Sequence, residues 1–188
     1  MSGARSLTDQ EVEDVLNEMK TLRDRVLWLL GVKSGLRISE LLSLRIHDIM
    51  EHGQVGSQVR VAKRNTKGEV GSRAILLTVS AKTVLQQYLD SIPGYDLKQF
   101  LFQSTQGDKA ISRIQAHHIF KKAFNSLKLK GNCSSHSMRK TFAIKTHKAL
   151  GEKIELTQVA LGHKSLSSTV HYLPVNQEVV DRAILSAG

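Results

Sequence analysis

Apolar residues recur every three or four positions along most of this chain and alternate in only one region, a pattern that predicts a mostly helical α+β protein with one small antiparallel sheet or hairpin. Thr8 followed by Glu11 forms a capping-box signature, and Val12, Val15, Leu16 and Met19 continue it at helical spacing. A second helix is expected over 22–34 with Val26, Leu27 and Leu30 inside it, and Gly35 stands where a left-handed cap would end it. Arg37 then opens a short apolar helix carrying Ile38, Leu41, Leu42 and Leu44. Residues 55–62 and 73–78 are rich in β-branched and apolar side chains around a Gly-containing connection and read as a β-hairpin. Ser80 caps a helix running through Leu89, Pro93-Gly94 breaks the chain, and Ser112 caps a helix bearing Ile119, Phe120, Ala123, Phe124 and Leu127. The last third is expected to be helical over 138–150, 156–161 and 178–185, with Gly151 and Gly162 as stops and Tyr172 on a short segment between. Trp28 falls among apolar helical neighbours and is expected in the core.

The chain has 188 residues, 40% of them hydrophobic, which suits one sizeable core. No internal repeat and no Pro- or Ser-rich linker divides it, so residues 1–188 are expected to form one domain. Cys133 is the only cysteine, which rules out an intrachain disulfide and a cysteine-rich metal cluster. The most apolar run, 26–32, contains Gly31, is bracketed by Arg25 and Lys33, and is far shorter than the roughly 20 residues of a membrane span. The N-terminus lacks a signal-peptide pattern. These features lead us to expect a soluble, cytoplasmic protein with no membrane partner.

Charge sharpens the picture. Lys and Arg total 27 against 17 Asp and Glu, a formal net charge of +10. Between Asp108 and Glu152 there is no acidic residue, while Lys109, Arg113, Lys121, Lys122, Lys128, Lys130, Arg139, Lys140, Lys145 and Lys148 supply ten basic ones. A field of one sign fits a polyanion, because each phosphate neutralised releases condensed counterions. On charge alone, nucleic acid and an unliganded solvated face remain equally good readings.

Three segments carry candidate chemistry. Gly35-Leu36-Arg37-Ile38-Ser39-Glu40-Leu41-Leu42-Ser43-Leu44 places an Arg at the start of an apolar helix. His136-Ser137-Met138-Arg139 sets an imidazole and a guanidinium one helical turn apart. Leu161-Gly162-His163-Lys164 is followed by Ser168-Thr169 and Tyr172. Taken singly, each has an ordinary structural explanation: a helix-terminal Arg, a surface pair, a packed His and Tyr.

In this order and at these spacings the segments resemble the tyrosine recombinase, or phage integrase, family, from about Leu7 to Leu185. The resemblance implies a site-specific DNA recombinase whose tyrosine hydroxyl takes over a DNA phosphodiester, forming a 3′-phosphotyrosyl link and freeing a 5′-hydroxyl. It implies Tyr172 as nucleophile, Arg37, Arg139 and His163 as stabilisers of the phosphate, and His136 as proton acceptor. The residue types suit the chemistry, since a phosphate under attack gathers negative charge that Arg forks and a His donor can stabilise. A free phenol, with an ordinary pKa of about 10, also needs help losing its proton. Family members carry the general acid for the leaving oxygen as a Lys on the hairpin loop. Here the loop reads Lys63-Arg64-Asn65-Thr66-Lys67-Gly68, with Lys67 the first candidate and Lys63 the alternative. Glu40 reads as a buried structural partner. His47, His52, His117, His118, His147 and His171 are too scattered to suggest a metal site, and the resemblance calls for no metal, ATP or other cofactor.

The resemblance further implies double-stranded DNA as partner, tetramer assembly on it, no small-molecule substrate, and a bacterial, phage or plasmid-borne, nucleoid-associated setting. It covers only the catalytic domain, without the N-terminal helical domain that closes the clamp in most relatives; an excised catalytic domain and a naturally short recombinase both fit. His171 precedes the Tyr, where many relatives have a His after it. The last helix, with Val179, Ile184 and Leu185, is expected to dock onto a neighbouring protomer. A binding-only relative and a type IB topoisomerase are the competing functions; an intact Tyr172 opposes the first, and the hairpin context and the spacing from Gly162-His163 to the Tyr oppose the second.

Overall fold

Thr8 starts the first helix reciprocally. Its hydroxyl accepts from the Glu11 backbone N–H at 3.1 Å and the Glu11 carboxylate accepts from Thr8 N–H at 2.9 Å, opening α1 (Asp9–Glu18). In the computed structural model, which describes residues 3–62, 73–173 and 177–186 (the side chains of 177–179 and 183 excepted), α1 leads into α2 (Leu22–Ser34). Thr21 caps α2, and Val26, Leu27, Trp28, Leu29, Leu30 and Val32 are all buried, so this helix is surrounded rather than amphipathic. It packs against α1, α4 (Val79–Asp90) and α6 (Ser135–Ala149), and α5 (Arg113–Ser126) closes the side where Phe120 and Phe124 meet the Trp28 ring at 5.6 and 5.9 Å. The indole N–H donates to Val12 O at 3.0 Å, so burying Trp28 leaves no polar group unpaired.

The strands differ from the single expected hairpin. β1 (Met50–Glu51) and β2 (Gln54–Val55) pair antiparallel through His52 and Gly53, both at positive φ, as a two-residue hairpin turn requires. β3 (Gln58–Val61) pairs separately with β4 (Arg73–Leu76), in the register Val59↔Ile75 and Val61↔Arg73. Val55 thus belongs to the first hairpin. Thr78 ends the second strand region by becoming the cap of α4, its hydroxyl accepting from Ala81 N–H at 3.3 Å, which places Ser80 inside the helix.

α3 (Ile38–Ser43) begins at Arg37 as expected. α6 begins three residues earlier than its apolar pattern predicts, because Ser134 caps it and accepts from His136 N–H at 3.2 Å. His136 therefore sits in the first turn and Arg139 one turn further on. α7 (Ile154–Leu161) ends at left-handed Gly162, α8 (Leu166–Val170) follows, and α9 (Gln177–Ser186) ends the described chain. No helix among the described residues is long and apolar enough to cross a membrane.

Candidate active site

Two helix ends meet around one guanidinium. Gly35 closes α2 at φ +64 and Gly162 closes α7 at φ +64, turns that a residue without Cβ makes at no steric cost. At these ends the Gly35 and Leu161 carbonyls both accept from Arg139, from Nη1 and from Nη2 (2.9 Å) respectively. Arg139 is 1% exposed, and its Nη2 also lies 2.6 Å from His163 Nε2. A guanidinium has no acceptor, so His163 Nε2 is the acceptor, and the ring proton resides on Nδ1, which donates to the buried Thr169 Oγ1 at 2.9 Å.

Electrostatics agree with a neutral ring. Burial, then the charges of Arg139, Arg37 and Arg73, push the His163 pKa down to about 4. Burial, then Arg37, lowers that of Arg139 to about 10, which leaves it a cation at neutral pH.

Glu40 is the anion of the cluster. Only 1% exposed, it accepts from the Arg37 backbone N–H at 2.7 Å and from Arg37 Nη1 at 3.0 Å, and its Oε2 lies 3.4 Å from Arg73 Nη2 and 4.0 Å from Arg139 Nη1. One carboxylate thus faces three guanidinium groups, so the cluster keeps a positive excess, and Arg37 brings part of it to the adjoining cleft.

That cleft, about 390 Å³, is lined by Arg37, His136, Lys140, His163, Ser168, His171 and Tyr172, with Gly3 and Ala4 at its edge. Tyr172 follows α8, its N–H donating to Thr169 O at 2.9 Å. Its ring centroid lies 5.5 Å from that of His163 and 5.6 Å from the Arg139 Cζ. A second hollow adjoins, lined in part by Arg37, Phe100, Arg113 and His136.

Of the residues singled out in the sequence, Arg37, His136, His163 and Tyr172 share one cleft, and Arg139 is buried against His163 behind it. Lys67 and its alternative Lys63 lie outside the described residues. His171, grouped with the scattered histidines, stands on the cleft wall. Arg73 and Thr169 received no role from the sequence. For Arg73 a signal existed, since in a strand it alternates with Ala74 and shares the face of the apolar Ile75, so a cation was being turned inward. Among the described residues no group of three or more His, Cys, Asp or Glu side chains is placed to hold a metal ion.

Residues 5–178 match the model of the "Phage integrase family". The chain is 30% identical to the "Probable integrase/recombinase YoeC" of Bacillus subtilis over 93% of its own length and 89% of that protein's. It is 35% identical to the "Tyrosine recombinase XerC" of Pelobacter propionicus over 86% of its length, and spans 52% of that relative. Among solved structures, XerA recombinase superposes at a TM-score of 0.76 with 20% identity, covering 100% of this chain and 66% of the other. XerH site-specific recombinase, bound to its palindromic difH substrate in a post-cleavage complex, superposes at 0.73 with 23% identity, covering 97% of this chain and 53% of the other. The chain therefore spans about half of several relatives and most of YoeC, and the structural likenesses establish the shared catalytic-domain fold. With a family match over nearly its full length and the YoeC and XerC sequences at 30% identity or more, this chain belongs to the phage integrase family of tyrosine recombinases.

Proposed function

We propose that this protein is a site-specific DNA recombinase that cuts and rejoins DNA through a 3′-phosphotyrosyl intermediate, serving integration, excision or inversion. The observation that carries this reading is the meeting of the Tyr172 ring, Arg37, His136 and His163 at one open cleft, with the Arg139 guanidinium held against His163 behind it. In the step proposed, the Tyr172 oxygen attacks the scissile phosphorus and its proton passes to His136. The bond to the 5′-oxygen breaks, and that oxygen takes a proton from Lys67 or Lys63. Arg37 and Arg139 hold the non-bridging oxygens, whose charge grows in the transition state. His163, neutral and accepting from Arg139, first orients that guanidinium; it can donate to the phosphate once the incoming oxygens draw Arg139 away and the ring proton is on Nε2. Attack by the free 5′-hydroxyl of a partner strand reverses the chemistry and reseals DNA, with no external energy source because the phosphoester is conserved.

The family's known complexes support DNA as partner, XerH having been seen on its substrate after cleavage. Residues 1–188 are proposed to act as the catalytic domain, assembling as a tetramer on paired duplex sites. The deciding experiment uses nicked duplex DNA bearing a candidate site. The native protein should leave an SDS-resistant covalent adduct, and Tyr172→Phe should leave none while still shifting the DNA. Shifted DNA without an adduct from either protein would favour a binding-only role.

A further inference from the structure

Arg73, the first residue of β4, is set into the site from behind. Its side chain is 16% exposed, and its Nε and Nη1 are buried with no hydrogen-bond partner. The guanidinium lies against the Gly162 turn: a Cβ built on Gly162 would overlap Arg73 Nη1 and fall 3.1 Å from Cζ and 3.2 Å from Cδ. On its other side, Nη2 is 3.4 Å from Glu40 Oε2. Desolvating a cation that holds only part of one carboxylate is unfavourable, so its own bonding does not account for its place here.

We infer that Arg73 is a positioning residue for the proposed reaction: held between Glu40 and the Gly162 turn, it fixes the backbone that presents His163 to Arg139 and to the scissile phosphate. The inference rests on the recombinase reading for its consequence, and on the contact with Gly162 for its geometry. Three features follow from this placement. The Gly162 position admits no side chain while Arg73 occupies its place, so the two residues are a matched pair. Arg73 also shares Glu40 with Arg37 and Arg139, so the carboxylate is kept from neutralising either fully. Finally, Arg73 pairs with Val61 at the end of the β3–β4 ladder, so it ties that ladder directly to the Gly162 turn that precedes His163.

His163 reports on the contact. The charged and titratable groups around it are Arg37 at the start of α3, His136, Arg139 and Lys140 of α6, His171 and Tyr172 after α8, and Arg73 itself. Removing the Arg73 charge should let the His163 ring titrate at higher pH. In Arg73→Gln, the imidazole resonances of His163 in the free protein should titrate at a higher midpoint, and adduct formation on nicked DNA should slow roughly tenfold or more, since small misplacements at a reacting centre are amplified in rate. DNA affinity should stay within about threefold, because the side chain is turned away from solvent. Arg73→Lys should restore most of the His163 titration but only part of the rate, having the charge without the flat fork. An Arg73→Gln protein that is folded and forms adduct at the native rate, or whose His163 midpoint is unmoved, would overturn the inference. Should Arg73→Gln fail to fold, Gly162→Ala tests the same contact from the other side, and native adduct rates there would equally refute it. If native protein forms no adduct at all, the recombinase reading fails while the His163 titration still decides the role of Arg73.

Discussion

His163 shows how one residue's environment sets its chemistry. The Arg139 N–H that points at Nε2 and the Thr169 hydroxyl at Nδ1 leave the ring one arrangement, neutral with its proton on Nδ1. Because the folded ring titrates near 4 and an unfolded His near 6.5, the unfolded chain binds the extra proton across that window. The native state therefore carries a stabilising contribution that is complete above about pH 6.5 and is lost as pH falls toward about 4. The urea midpoint of the native protein should decline over this range, and His163→Gln should flatten the decline. An identical pH profile in the variant would show that the ring's protonation does not limit stability there.

At the scale of elements, the site is made by helix ends. Gly35 and Gly162 terminate α2 and α7 so that nearby carbonyls converge on Arg139 of a third helix, α6. At Gly35 an added Cβ would lie 2.3 Å from the Phe142 ring as well as sitting at φ +64. Gly35→Ala should thus destabilise the protein by about 2 kcal/mol or more, combining left-handed strain with overlap against a rigid ring. It should also lower adduct formation by moving a hydrogen-bond acceptor of Arg139. Chemical denaturation measures the first effect, and a change below about 0.5 kcal/mol, the scale of an ordinary surface substitution, would mean that α2 and α6 yield easily at this contact. The same logic explains the starts of α4 and α6: Thr78, rather than the expected Ser80, and Ser134, ahead of the first apolar residue of its pattern, offer their hydroxyls to free backbone N–H groups.

Over the whole molecule, charge is segregated by burial. Of the ten basic residues between Asp108 and Glu152, eight are exposed, Lys140 is half-buried and Arg139 is buried. Arg139 is thereby reserved for the site, while the exposed set, of which Lys145 pairs with Asp9, faces solvent where a polyanion could reach it. Arg113, at the start of α5, lines the hollow next to the cleft together with Arg37 and His136, so under the proposed reaction it would take a phosphate beside the scissile one. Affinity for duplex DNA should fall steeply with salt, and Arg113→Ala should lessen the slope of log affinity against log salt by about one, the signature of one lost phosphate contact. A weakened affinity with an unchanged slope would instead indicate that Arg113 contributes through packing or base contact.

Much of this protein was legible along the chain because the determinants are local. The capping box at Thr8, the cap at Ser112, the left-handed stops at Gly35 and Gly162, the burial of Trp28 and the three motif segments depend on residues within about three helical turns of each other. The single expected hairpin became two because the turn at His52-Gly53 needs only two residues, and pairing of Met50 with Val55 captures the start of what looked like one longer strand. Only the tertiary structure could decide what surrounds Arg139, since its partners Gly35 and Glu40 come from one distant segment and Leu161 and His163 from another. The same holds for Arg73, whose strand position says that it faces inward while only packing reveals the Gly162 turn it meets. Periodicity and caps act through bonds a few residues apart; the protonation of His163 and the sharing of Glu40 arise from desolvation and charges brought together by folding, and no local pattern encodes them.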